Sequence, residues 1–281
     1  MKLFDMHIHG NADTPDPKAL LAKMQEAGIA GGCIFSAPPM EQDFSCEGLP
    51  SRMFDERMEE ILGWSRGYED RLFPILWISP REENIHEKIE IAVSRGVAGF
   101  KMICTDWYVY DEFCMRVLRH IATLGCPVIF HTGILFDGHV SSCYNRPLNW
   151  EALLEIPNLR FSMGHCSWPW IDECIALYGK FEDANNRGVG SQMYLDLTPG
   201  TPPIYRRELL TKLYRIGYKT EDRVLFGTDS YASRYNAKYT AKALETDMRI
   251  LDELEVGDEA REKLAYRNLM RFLGVESQTE F

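Results

Sequence analysis

The chain has 281 residues, 45% of them hydrophobic, and carries 31 basic against 42 acidic groups for a net charge of −11. That length suits one large α/β domain spanning residues 1–281. The acidic balance argues against nucleic acid or an anionic membrane as partner, because both attract positive protein surface. No apolar run is long enough to cross a bilayer, and the N-terminal stretch lacks the layout of a signal peptide.

The first predicted element, a strand over residues 3–9, contains Asp5, His7 and His9. Residues two apart on a strand share a face, so the two imidazoles project side by side with Asp5 behind them. Such a pair is half of a site for zinc or a similar ion; the alternative is chance polar packing. A helix over 18–27 follows, with Leu20, Leu21, Met24 and Ala27 at helical spacing. Further strands are predicted at 32–37, 72–79, 97–103, 127–132, 160–166, 193–198 and 224–229. Amphipathic helices are predicted between them at 52–64, 85–93, 111–124, 150–155, 170–181, 205–216 and 238–254, with a closing helix at 258–273.

Eight strand–helix alternations with apolar strands imply parallel strands covered on both faces. At this length they favour a closed (β/α)8 TIM barrel over an open doubly wound sheet. No Gly-x-Gly-x-x-Gly turn follows the first strand, which removes the usual dinucleotide alternative. The long connections 38–50, 133–149 and 198–203 lead from strands into helices, so substrate selection is expected on that rim. None of the eight cysteines forms a Cys-x-x-Cys pair, and Cys33, Cys104, Cys126 and Cys166 lie in or beside strands. The reading is reduced, mostly buried thiols in a cytoplasmic protein, with a ligand role for Cys104 or Cys166 a minor alternative.

The C-terminal strand ends of a barrel converge on one mouth. There the sequence offers His7, His9, Lys101, His131, His165 and Asp229, whereas His86 and His120 fall on helices and His139 in a long loop. Trp107, Tyr144, Arg146, Trp168 and Arg234 lie in strand-to-helix loops, where aromatic walls and an arginine would suit a flat, anionic small molecule. Packing of the barrel rim is the plainer reading of each. Lys101 shares its strand with Gly99, and an unpaired ammonium entering the mouth would be costly.

The run Asp5-x-His7-x-His9, the stretch 127–133 ending in His131-Thr132-Gly133, His165, Asp229 and the final Tyr266-Arg267-Asn268 together resemble the amidohydrolase superfamily. The pattern is most like the branch called amidohydrolase family 2, which also contains metal-dependent decarboxylases such as aminocarboxymuconate semialdehyde decarboxylase. The resemblance runs from residue 3 to about 273. It implies that His7, His9, His131 and Asp229 hold one divalent ion, zinc in most such enzymes. That ion would lower the pKa of water from 15.7 to roughly 7. Asp229 would hold the water and move its proton as general base and acid. Its plainer role is capping the following helix. His165 would orient the water, bind the developing oxyanion or hold a second ion, unless it is a satisfied core histidine. Lys101 matches a position carboxylated in some members, which leaves a two-ion site open; otherwise it stays a cation pairing with a substrate carboxylate or with Asp229.

The expected function is metal-dependent hydrolysis of a small-molecule amide, lactone or ester. The alternatives are nonoxidative decarboxylation of an aromatic or dienoic acid and, in another class, a non-catalytic barrel scaffold. Oligomeric state is open, homo-oligomers included.

Overall fold

The computed structural model describes residues 2–10, 14–44, 48–199 and 201–275. Within them, a parallel sheet takes up the strands in chain order: β1 (Phe4–His9), β2 (Gly31–Phe35), β3 (Leu72–Trp77), β4 (Gly99–Met102), β5 (Pro127–Phe130), β6 (Arg160–Met163), β7 (Gln192–Asp196) and β8 (Val224–Leu225). A ninth, two-residue strand, β9 (Ser230–Tyr231), pairs with β1. The expected eighth strand is therefore broken into two. Its first half pairs with β7 through Leu195↔Val224, and its second half pairs with β1 through Ile8↔Ser230. Between them the Met6 amide donates to the Phe226 carbonyl at 2.9 Å, which completes the (β/α)8 ring.

The break has its cause in side-chain contacts from other strands. The Asp5 carboxylate accepts the Thr228 amide at 3.0 Å and the Thr228 hydroxyl at 2.5 Å, giving this stretch a side-chain partner in place of the ladder. At Gly227 a Cβ would meet Thr198 Cγ2 at 2.5 Å, so any larger residue would require this buried threonine to shift. Asp229 then takes φ 55°, a left-handed backbone that ends regular pairing.

Side chains sort to two faces with period two. Phe4, Met6, Cys33, Phe35, Phe73, Ile75, Ile129, Tyr194 and Leu225 fill the barrel interior. Ile34, Leu76, Phe100, Val128, Phe161 and Leu195 face the surrounding helices. In β1 the alternation is reset: pairing runs from Asp5↔Gly32 to Ile8↔Ile34, one residue more on β1 than on β2. After this irregularity Ile8 packs toward the helices, while His7 and His9 line a cavity at the mouth.

The helices include α1 (Pro17–Glu26), α2 (Phe54–Ser65), α3 (Ile85–Ser94), α4 (Glu112–Thr123), α5 (Ile171–Asn186), α6 (Arg206–Arg215) and α7 (Ala237–Glu253). α1 opens with Pro17 at its first turn, and Asp16 accepts the Lys18 and Ala19 amides. The helix expected at 150–155 is instead a 3₁₀ run, Pro147–Glu155. The closing helix is divided by a π turn at Lys263–Arg267 into α8 (Asp258–Glu262) and α9 (Asn268–Leu273). The α9 residues Leu269, Met270, Phe272 and Leu273 join the interior cluster, with Phe272 against Tyr194 at 5.0 Å. This helix thus closes the end of the barrel opposite the histidines.

Candidate metal centre

The three expected residues that converge most tightly are His7, His9 and Asp229, each offering a donor atom within 4.8 Å of the others. Asp229 Oδ1 lies 3.3 Å from His7 Nε2 and 3.2 Å from His9 Nε2. The left-handed backbone at Asp229 brings its carboxylate back over the mouth. Three further non-glycine residues, His165, Cys166 and Ser167, have φ of 61°, 45° and 57°. Runs of such conformations persist only where surroundings hold them. Here Thr132 Oγ1 donates to the Gly164 carbonyl at 2.7 Å and Ser167 Oγ donates to Thr132 Oγ1 at 2.8 Å.

Each imidazole has a distinct setting. His7 Nδ1 lies 2.8 Å from Asp196 Oδ2 at the end of β7, and Asp196 Oδ1 accepts the Thr198 amide at 2.8 Å. A carboxylate on Nδ1 keeps the hydrogen there and leaves the Nε2 lone pair for the site. His165 Nδ1 lies 2.9 Å from Thr198 Oγ1. His131 lies outside the 4.8 Å group, but its ring is 5.0 Å from that of His165 and it lines the same cavity. His9 Nδ1 and His131 Nε2 are buried with no hydrogen-bond partner.

Electrostatics favour ligand forms. Burial first, then Lys101, holds His7 well below the usual imidazole range. Burial first, then His165 and Lys101, does the same for His131, and burial lowers His9. Burial alone would raise the Asp229 carboxyl, but His7, His9 and His165 together hold it well below the carboxylate range. Neutral imidazoles beside an ionised carboxylate, with two buried ring nitrogens unsatisfied, form a donor set that fits a divalent cation.

Lys101 is buried, with Nζ 2.9 Å from His7 Nε2 and over the Phe35 ring at 4.6 Å. It lines the cavity at the mouth. The cavity has a volume of about 260 Å³. Trp168 lines it, but the other residues expected at the substrate are placed elsewhere. Trp107 is buried among the helix-facing core residues, 6.1 Å from Phe113. Tyr144 packs edge-on against Tyr108 at 4.8 Å. Arg146 is forked on Glu173, with Nη2 at 2.8 Å, and Arg234 stacks on the outer side chain of Tyr231 at 4.4 Å. In these four, rim packing and ion pairing took the groups that loop position alone made available. His139 is exposed on its loop, and His86 and His120 pair ring to ring at 4.9 Å on α3 and α4. Cys104 and Cys166 are buried, and burial pushes both thiols up. The seven described cysteines are free, while Cys46 lies outside the described residues.

Sequence reasoning missed Asp196 and the cavity wall of Phe44, Leu49, Trp77, Ile103 and Leu135. Asp196 had a signal: an acidic residue ending a buried apolar strand. Phe44 and Leu49 had none beyond being apolar in a long loop.

Residues 4–275 match the sequence model of a family described as Amidohydrolase. No curated protein is matched. Among solved structures, the chain is similar to an uncharacterised TIM-barrel protein from Bordetella bronchiseptica at 19% identity and TM-score 0.69, covering 98% of this chain and 99% of that one. It is similar to 2,6-dihydroxybenzoate decarboxylase from Rhizobium at 13% identity and TM-score 0.67, covering 98% and 99%. It is also similar to a probable 2-pyrone-4,6-dicarboxylic acid hydrolase from Acinetobacter baumannii at 12% identity and TM-score 0.63, covering 98% and 100%. At these identities the structural likeness bears on the fold.

Proposed function

This chain belongs to the amidohydrolase family, and from that premise we propose that it is a metal-dependent hydrolase of a small-molecule amide, lactone or ester. The observation that carries the reading is the convergence of His7, His9 and Asp229 within 4.8 Å. His131, with its unsatisfied Nε2, would be the fourth ligand of a single zinc ion. When bound, such an ion supplies Lewis acidity that polarises a carbonyl and acidifies water.

The chain's own groups do the rest. Asp229, a third exposed at 34%, faces both solvent and the imidazoles, so it can take a proton from attacking water and return it to the leaving nitrogen or oxygen. If Thr198 donates to His165 Nδ1, Nε2 carries the hydrogen and can donate to the oxyanion as it forms. Asp196 keeps His7 in the tautomer that leaves Nε2 for the site. Lys101 attracts a carboxylate or carbonyl oxygen of the substrate. A two-ion site using a carboxylated Lys101, His131 and His165 is the alternative; it requires two ions per chain and the added mass of carbon dioxide on the lysine.

Decarboxylation is the second reading, favoured by the apolar wall of the cavity, a surface suited to the ring of an aromatic acid. Labelled solvent separates the two. Hydrolysis places oxygen from ¹⁸O-water in the product acid; decarboxylation in D₂O places deuterium on carbon and releases carbon dioxide. Asp229→Asn should abolish turnover in either case, and an unchanged rate removes its proton-transfer role. A scaffold would show neither turnover nor stoichiometric metal. We place the protein in the cytoplasm as one domain, a reading supported by its free, mostly buried thiols.

A further inference from the structure

We propose that the cavity takes a small planar ring bearing a single carboxylate and rejects dicarboxylates. This substrate class rests on the metal-dependent reading of the same site.

One side of the cavity is a separate apolar cluster of Phe44, Leu49, Trp77, Ile103 and Leu135, all buried, with Tyr231 packed against it. The polar groups of Trp77 and the Ile103 carbonyl in this wall have hydrogen-bond partners. Trp77 Nε1 donates to Gln42 Oε1 at 2.9 Å, and Gln42 Nε2 donates to the Ile103 carbonyl at 2.7 Å. Arg57 donates to the Trp77 carbonyl from behind and pairs with Glu82. What remains facing the cavity is carbon, suited to a ring face.

Positive charge is scarce. Among the described residues lining the cavity, Lys101 is the only lysine or arginine. The undescribed positions in the neighbouring loops are Asn11, Ala12, Asp13, Ser45, Cys46, Glu47 and Gly200, none of them basic. Of the arginines of the rim, Arg81 pairs with Asp106 at 2.6 Å and Arg146 with Glu173, while the exposed Arg234 lies over the ring of Tyr231 and does not line the cavity. A second cavity, lined by the same loops, adds Glu41, Asp43 and Asp137, with Asp106 paired to Arg81. One carboxylate can sit between Lys101 and the ion. A second, on the same ring, finds no other lysine or arginine among the described lining residues; against the wall it meets carbon and toward the rim acidic side chains, and both disfavour it.

The test is a calorimetric titration of the purified full chain with benzoate, isophthalate and 3-nitrobenzoate, run on zinc-loaded and chelator-treated protein. The nitro compound has the shape of the diacid without its second charge and no bond to hydrolyse, so size and charge are separated. Benzoate and 3-nitrobenzoate should bind, with isophthalate on the order of 100-fold weaker than 3-nitrobenzoate. Leu135→Arg, which places a guanidinium in the wall, should bring isophthalate to within about tenfold of 3-nitrobenzoate. Isophthalate binding as tightly as 3-nitrobenzoate overturns the proposal, as does failure of benzoate and 3-nitrobenzoate to bind at all. Metal analysis of the same samples keeps the two readings apart. Protein without stoichiometric metal defeats the enzymatic reading, whereas metal-loaded protein that accepts the diacid defeats only this one.

Discussion

His7 is the residue on which the site turns, because both of its ring nitrogens are engaged. Nδ1 faces Asp196 at 2.8 Å, and Nε2 faces Lys101 at 2.9 Å and Asp229 at 3.3 Å. An ion bound at Nε2 would take the place now approached by the lysine, so the ammonium would have to move toward an incoming anion. The carboxylate behind the ring sets ligand basicity and orientation. Asp196→Asn should therefore weaken zinc affinity by about 10–100-fold in a chelator-competition titration while leaving the circular dichroism spectrum unchanged. Undiminished affinity would show that His7 is oriented without it. At this scale the sequence was partly transparent. His7 and His9 could be paired because a strand makes residues two apart neighbours. Nothing linear links Asp196 to His7 across 189 residues, and only the ring of strands makes them touch.

The elements divide into those that patterning reveals and those that side chains impose. Strands buried on both faces read as apolar runs, so the alternation and most helices were legible. The reset in β1 and the break between β8 and β9 were not, since each depends on contacts from elsewhere: Asp5 capturing Thr228, and Gly227 fitting against Thr198. The loop after β2 is a third case. It folds over the cavity through the Phe44↔Leu49 bridge and is fastened by Gln42, whose amide spans the Trp77 indole and the Ile103 carbonyl. Gln42→Ala leaves both of those buried groups without a partner, at a cost of roughly 1–3 kcal/mol each. Benzoate affinity and thermal stability should both fall, with metal content retained. An unaltered benzoate isotherm would mean that the wall holds its shape without this clamp.

For the molecule as a whole, the barrel was predictable because eight strand–helix units of this length have few other ways to cover both faces of a parallel sheet. The helix plugging the far end was foreseen only as a closing helix; its insertion against Tyr194 depends on packing that no local pattern encodes. The two ends of the barrel consequently serve different purposes. One is filled by α9 side chains, while the other carries a cavity whose mouth includes Phe136, 72% exposed.

The splice in the eighth strand joins the first and last parts of the barrel, and it also carries Asp229. Occupancy and closure should then be thermodynamically linked, since a ligand that draws Asp229 toward His7 and His9 also cinches the seam. Amide hydrogen exchange offers the readout: chelation should speed exchange at Met6 and across residues 227–231 while sparing β3 to β5. Uniform exchange with and without zinc would mean that the seam stays shut on its own, and that the cation is merely a guest in a finished ring.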